Sequence, residues 1–226
     1  DGARISLLVG LVGTMVSLVI GVVWGATAGY LGGRWDSMMM RVVDILYSLP
    51  SVIFVIVLIT SLEGIFKKWL GMLNPSWGQN VRILFLFCGL GAVSWLTMAR
   101  IIRGQVITLK TRGFVEAAEA LGLSHGRILF RHIVPNLTGI IVVYLTLTIP
   151  SVILYESFLS YLGLGIQAPQ ASLGTLINEG ARQINPVKIY WWLLALPGSF
   201  LVSTLVALNF LGEGLREAVD PLSEKK

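Results

Sequence analysis

The chain has 226 residues, of which 55% are hydrophobic and 13% charged, with 25 glycines, a formal charge of +5 and a single cysteine. Soluble domains carry about 25% charged residues, so this composition excludes a disordered chain, a soluble enzyme of ordinary surface and a disulfide scaffold. With a mean hydropathy of +0.79 it describes an all-α polytopic membrane protein, in which lipid replaces water as the outer solvent. Cys88 has no partner for an internal disulfide and reads as a small buried hydrophobe.

Five apolar stretches reach the roughly 20 residues that a helix needs to cross a bilayer. They cover about 7–31, 42–62, 83–102, 133–159 and 189–211. Period-2 alternation is missing, so helices rather than barrel strands satisfy the backbone in lipid. In the first span Gly10, Gly13, Gly21 and Gly25 fall at small-residue spacing, and Gly21-x-x-x-Gly25 suits close helix packing. Arg34 and Arg41 precede the second span, where Asp44 lies one helical turn from Arg41 and an ion pair between them is expected. Pro50, Pro150 and Pro197 interrupt spans and predict kinks. Between the second and third spans, Ile65, Phe66, Trp69, Leu70 and Leu73 recur at helical spacing with Lys67 and Lys68 off that face, which predicts an interfacial helix.

The segment 100–131 holds the densest basic cluster, Arg100, Arg103, Lys110, Arg112, Arg127 and Arg131, and is therefore placed in the cytoplasm. Alternation then puts 32–41 and the C-terminal tail inside, and 63–82 and 163–188 outside. Five spans leave Asp1 outside, and the reading expects a further span before it.

Within this loop, Phe114, Val115, Ala118 and Leu121 form an apolar stripe at helical spacing, with Glu116 and Glu119 off it. Gly122 fits the position where a left-handed residue closes a helix over 113–121, and Ser124 fits the N-cap of a second helix. That helix carries its own stripe, Ile128, Leu129 and Ile133, and Pro135 marks a distorted start to the fourth span. The small pair Ala117 and Ala118 beside the glycine suits docking against another protein; an ordinary connecting loop is the competing reading.

Glu156 lies near the outer end of the fourth span beside Ser157 and Ser160, and either lines an outer gate or caps a neighbouring helix end. The turn-rich segment 163–186 offers Gln167, Asn178, Glu179 and Arg182 as exposed polar groups, with a short helix over 172–184. Tyr190, Trp191 and Trp192 form an aromatic belt at the head of the last span. No G-x-x-x-x-G-K-[ST] or H-E-x-x-H occurs, so the residues offer no nucleotide loop or zinc pair. His125 and His132 stand two helical turns apart, too far to share an ion.

The order of motifs resembles a known family. Glu116-Ala117-Ala118, three residues, Gly122, then twelve residues to Pro135 look like the EAA signature of ABC importer permeases. Gly2-Ala3-Arg4-Ile5-Ser6-Leu7, Ala28-Gly29-Tyr30-Leu31-Gly32-Gly33 with Asp36 and Asp44, Glu156 to Gly165, and Phe210 to Pro221 resemble further motifs of the C-type permease of dipeptide, oligopeptide and nickel importers. His132 and Val134 stand where the family usually has Ile and Leu.

The resemblance implies a single transmembrane domain over 1–226 with the type I ABC importer permease core, five spans here and a first one missing. It implies a transport subunit rather than an enzyme, in a bacterial or archaeal cytoplasmic membrane. The implied partners are a homologous second permease, two ATP-binding subunits that hold the ATP and Mg, an external substrate-binding protein and the lipid bilayer, with no nucleic acid. The chain itself would hold no cofactor and no metal. By the same token, Phe114, Glu116, Ala117, Ala118, Leu121 and Gly122 would couple to the ATPases through the loop 111–131. Asp44, Glu156, Ser157 and Ser160 are the gate or pathway candidates. Gln167, Asn178, Glu179 and Arg182 are candidates for meeting the binding protein, against ordinary solvated surface. The expected cargo is a peptide, with nickel or a nickel chelate as the alternative. A stand-alone channel or secondary transporter would want a midplane ion site or internal repeats, and neither is visible.

Overall fold

The computed structural model describes residues 2–50, 52–58, 60–61, 68, 77–166, 170–185 and 188–219. Its helices, in chain order, are α1 (Gly2–Leu31), α2 (Gly33–Ser48), α3 (Val52–Leu58), α4 (Trp77–Lys110), α5 (Gly113–Ala120), α6 (His125–Ile128), α7 (Thr138–Tyr161), α8 (Leu173–Arg182) and α9 (Trp192–Val219). The only strand pairing among the described residues is a two-residue antiparallel ladder, Ile184 opposite Ile189 and Asn185 opposite Lys188. The interfacial helix expected within 63–82, the Cys88 side chain, Gln167 and the end of the last motif at Asp220-Pro221 lie outside the described residues or side chains.

Helix α1 packs along α4, and glycines set the distance. A Cβ on Gly21 would stand 2.6 Å from Met98 Cβ, one on Gly29 2.8 Å from the Arg103 carbonyl, and one on Gly25 against the Ala99 carbonyl. From the other helix, a Cβ on Gly91 would stand 2.9 Å from the Gly13 carbonyl. The expected Gly21-x-x-x-Gly25 contact thus sets the α1 backbone against the Met98 side chain and the Ala99 backbone, and is extended by one turn at Gly29. Without an apolar advantage over lipid, such close approach supplies helix association through dispersion contacts.

Among the described residues, three helical runs, Gly2–Leu31, His125–Tyr161 and Trp192–Ala218, are long and apolar enough to cross a membrane, and a bent pair makes up to four. The range 83–102 falls inside α4, which is 34 residues long. The second span corrects the sequence reading: the helix starts at Gly33, well before residue 42, and does not continue straight to 62. It breaks at Leu49-Pro50, and α3 leaves at 95° to α2. Proline has no N–H for the helical ladder and forces the residue before it out of helical geometry; Leu49 accordingly has φ −82° and ψ 135°. Pro150 and Pro197, by contrast, sit inside helices that run on past them.

The turn from α1 into α2 uses Gly32 (φ +67°) and Gly33 (φ +55°), a pair that only glycine supplies cheaply. Two ion pairs then lay α2 on α4. Arg103 grips Asp36 with both Nε (2.5 Å) and Nη2 (2.6 Å), and Arg100 Nη2 meets Asp44 at 2.7 Å. The expected Asp44–Arg41 pair is therefore replaced by a partner 56 residues away, over whose guanidinium Tyr47 stacks at 4.1 Å.

Candidate functional site

With 30 residues, α1 is about 45 Å long, and its two ends meet different groups. Gly2 touches α8, whereas Tyr30 touches His125. The loop 111–131 and the segment carrying α8 thus lie at opposite ends of the bundle.

At the loop end, α5 runs over Gly113–Ala120 and closes as the sequence predicts. Gly122 has φ +72°, its N–H reaches the Glu119 carbonyl (2.9 Å) and the Leu123 N–H reaches the Ala118 carbonyl (3.3 Å). This is a complete Schellman closure, with two orphan carbonyls satisfied. The apolar stripe divides in two. Val115 and Ala118 are buried against Tyr30, Ile102, Val106 and Ile128. Phe114 is 40% and Leu121 80% exposed, with Glu116, Ala117 and Glu119 also exposed. One face of α5 thus fastens to the bundle, and the rest presents Phe114, Ala117, Leu121 and two glutamates outward.

Two contacts that sequence spacing does not reveal anchor the unit. Tyr30 Oη and His125 Nδ1 share a hydrogen bond of 3.0 Å with the rings edge to face. Lys110 Nζ donates to the Tyr30 carbonyl at 2.8 Å, giving the last turn of α1 a cation. Ser124 occupies the N-cap of α6, but its hydroxyl makes no capping bond, which corrects that part of the reading. There is also no separate second helix. From His125 the chain runs through one π turn (Leu129–Ile133) and one 3-10 turn (Val134–Leu137) directly into α7. Pro135 has no N–H to return to the carbonyl four residues back, and the changed turns absorb that loss. Ile128, Leu129 and Ile133 are buried as their spacing predicts.

At the opposite end Glu156 is fully buried. Its Oε2 accepts from Ser6 Oγ (2.9 Å) and Ser157 Oγ (3.4 Å), and its Oε1 from Ser160 Oγ (2.6 Å). Ser6 Oγ in turn accepts the Leu173 N–H (3.1 Å), the first residue of α8, and Ser160 Oγ accepts the Ile166 N–H (3.0 Å). Of the two roles open to Glu156, this geometry serves the helix end: through Ser6 it satisfies an N-terminal donor of α8. Neither Glu156, Ser157 nor Ser160 borders a described cavity.

Helix α8 is closed by a capping box in which Ser172 and Thr175 bond reciprocally. Asn178 Nδ2 donates to the Tyr161 carbonyl and so clips α8 to the end of α7. Glu179 and Arg182 are exposed and line a groove with Trp192, Leu193 and Phe200.

A cavity of about 480 Å³ opens where α2 breaks, between the Tyr47–Pro50 corner, Phe54 of α3, and faces of α4 and α7. None of the four pathway candidates lines it, although the Asp44–Arg100 pair stands one turn from Tyr47 and Thr97, which do.

A bundle of long apolar helices joined by one compact helical loop defines a polytopic membrane protein. The chain belongs to the family of the binding-protein-dependent transport system inner membrane component, whose pattern matches residues 21–225. It is 49% identical to the oligopeptide transport system permease protein OppC of Escherichia coli K12 and 45% identical to that of Haemophilus influenzae, each over 97% of this chain. Against the dipeptide transport system permease protein DppC of Bacillus subtilis the figure is 42% over 97%. The chain spans 66%, 64% and 63% of the lengths of these three relatives, in that order. In fold it matches a chain of the inward-facing MetNI methionine ABC transporter with a TM-score of 0.71 at 17% identity, over 97% of this chain and 94% of that one. The architecture is that of a type I ABC importer permease.

Proposed function

We propose that this chain is the membrane-spanning permease part of an ATP-driven peptide importer, and that it forms half of the translocation path together with a homologous second permease. The observation that carries the reading is the kinship with OppC and DppC over 97% of the chain. The loop unit supports it: Val115 and Ala118 lock α5 to α1 and α4, leaving Phe114, Glu116, Ala117 and Leu121 presented outward. A cytoplasmic ATPase that seats on this face and moves would move α4 and α7 with it, because α5 has no flexible tether. Gly122 sets the angle at which α5 meets the run into α7. ATP and Mg²⁺ sit on two partner ATPases. The basic loop and the C-terminus face the cytoplasm of a bacterial or archaeal cell. The α8 segment, with Glu179 and Arg182, faces an external binding protein.

The test is reconstitution of the full-length protein with its co-purifying partners in proteoliposomes. A labelled tripeptide should accumulate only with ATP and the binding protein present, and nickel ions or a nickel chelate should not. Isolation of the chain without ATPases, or uptake of nickel in place of peptide, would overturn the reading.

A further inference from the structure

The cavity at the break of α2 is walled on α7 by Tyr144, Thr148, Ser151 and Tyr155. These positions, spaced by four, three and four residues, run in one row along the helix for about 16 Å. Thr148 turns its hydroxyl back to the Tyr144 carbonyl (2.6 Å). The hydroxyls of Tyr144, Ser151 and Tyr155, and those of Tyr47 and Thr97 on the facing walls, have no hydrogen-bond partner among the described residues. Among the described residues no Asp, Glu, Lys, Arg or His lines the cavity. Asp44 and Arg100, one turn from the lining residues Tyr47 and Thr97, neutralise each other at 2.7 Å. Its volume, about 480 Å³, lies within the common range of small-ligand sites.

We propose that this hydroxyl row is the chain's contact with the moving peptide, and that it engages peptide backbone while remaining indifferent to side-chain charge. The inference rests on the peptide reading above and goes beyond it by naming the residues and the rule of selection. An extended peptide advances about 3.3 Å per residue, so the row spans four to five residues and offers neutral groups that donate to backbone carbonyls or accept from backbone N–H. A charged wall would favour one class of peptide and hold it by Coulomb attraction. A wall of hydroxyls exchanges hydrogen bonds of similar strength at each step, and no single position becomes a trap. The aromatic rings and Pro50 supply apolar surface for side chains of any size.

The test uses the reconstituted importer with three probes, Ala-Ala-Ala, Ala-Lys-Ala and Ala-Glu-Ala, each at saturating binding protein, and compares every variant with wild type peptide by peptide. Ser151→Asp should slow Ala-Glu-Ala relative to Ala-Lys-Ala by at least about fivefold, and Ser151→Lys should reverse the order. Thr97→Asp and Thr97→Lys, at an exposed position on the opposite wall, should repeat the pattern and serve where a Ser151 variant fails to assemble. Tyr155→Phe should slow all three peptides alike. Charge variants that change all three peptides equally, or none, while wild type transports them, would overturn this inference and leave the peptide reading intact. A wild-type importer that moves none of the three overturns both.

Discussion

Glu156 is the most heavily committed side chain in the fold: three serine hydroxyls point at its two oxygens, and two of those hydroxyls hold backbone N–H groups in turn. Removing the carboxyl leaves buried donors with nothing to replace it. Glu156→Ala should cost about 2–4 kcal/mol, whereas Glu156→Gln, which keeps one acceptor oxygen, should cost less than half of that. Thermal unfolding of the purified protein in mild detergent measures both, and a Glu156→Ala melting temperature equal to that of wild type would show that the network carries no stability. Gly122 is limited by backbone rather than space, since a Cβ there meets nothing within 4 Å. Gly122→Asn should retain transport within about twofold, because asparagine tolerates the left-handed region. Gly122→Val, forced out of φ +72°, should assemble with its partners yet lower ATP-dependent uptake by about tenfold. Full transport by the valine variant would remove Gly122 from the coupling mechanism.

Among the elements, the two pairs that hold α2 on α4 differ in shielding. The Asp36 side chain is 12% exposed and bound bidentately, while that of Asp44 is 62% exposed. A double-mutant cycle of Asp36→Asn with Arg103→Met should give a coupling of about 1–2 kcal/mol, and one of Asp44→Asn with Arg100→Met no more than about 0.5 kcal/mol. These partners also mark the limit of what spacing reveals. Arg41 stands one turn from Asp44 and is the natural local partner, but the break at Pro50 and the return of α4 bring Arg100 there instead. One-dimensional patterns registered features that need only neighbouring residues: the glycine closure at 122, the short helix beginning near Ser172, the Ile128–Leu129–Ile133 stripe. They did not register Tyr30 with His125, Ser6 with Glu156, or the split of Phe114 from Val115, each of which depends on which helix arrives alongside. The hydroxyl row of α7 was present at helical spacing, yet serine and threonine in apolar helices often bond back to their own backbone, as Thr148 does, and the pattern alone did not distinguish the two uses.

On the scale of the whole molecule, the loop unit and α8 occupy opposite ends of a bundle about 45 Å long. In a Cys88→Ser background, Leu121→Cys should react with an impermeant maleimide only when the cytoplasmic side is open, and Glu179→Cys only from outside. Both residues are exposed in the chain itself, and labelling with and without the partner proteins separates sidedness from cover by a partner. Labelling of both from one side would contradict the proposed topology. The core is likewise arranged by end. One cluster joins Val115, Ala118 and Ile128 to α1 and α4, and a separate one gathers Val9, Leu159 and Ile166 at the far end.

The contact between α1 and α4 carries a further consequence, for heredity rather than mechanics. Gly25 faces the Ala99 carbonyl so closely that even a methyl group has no room, and Gly25→Ala should lower the melting temperature by about 3–10 °C. On the other side of the same helix, Leu8, Leu11, Met15, Val19 and Val23 are exposed at steps of three or four residues. Any apolar side chain serves at those positions. Every substitution tried across α1 should therefore sort into two classes that alternate with the helical turn, one nearly free to vary and one nearly forbidden. The helix would write its own rotation into the record of variants that survive, legible without a structure.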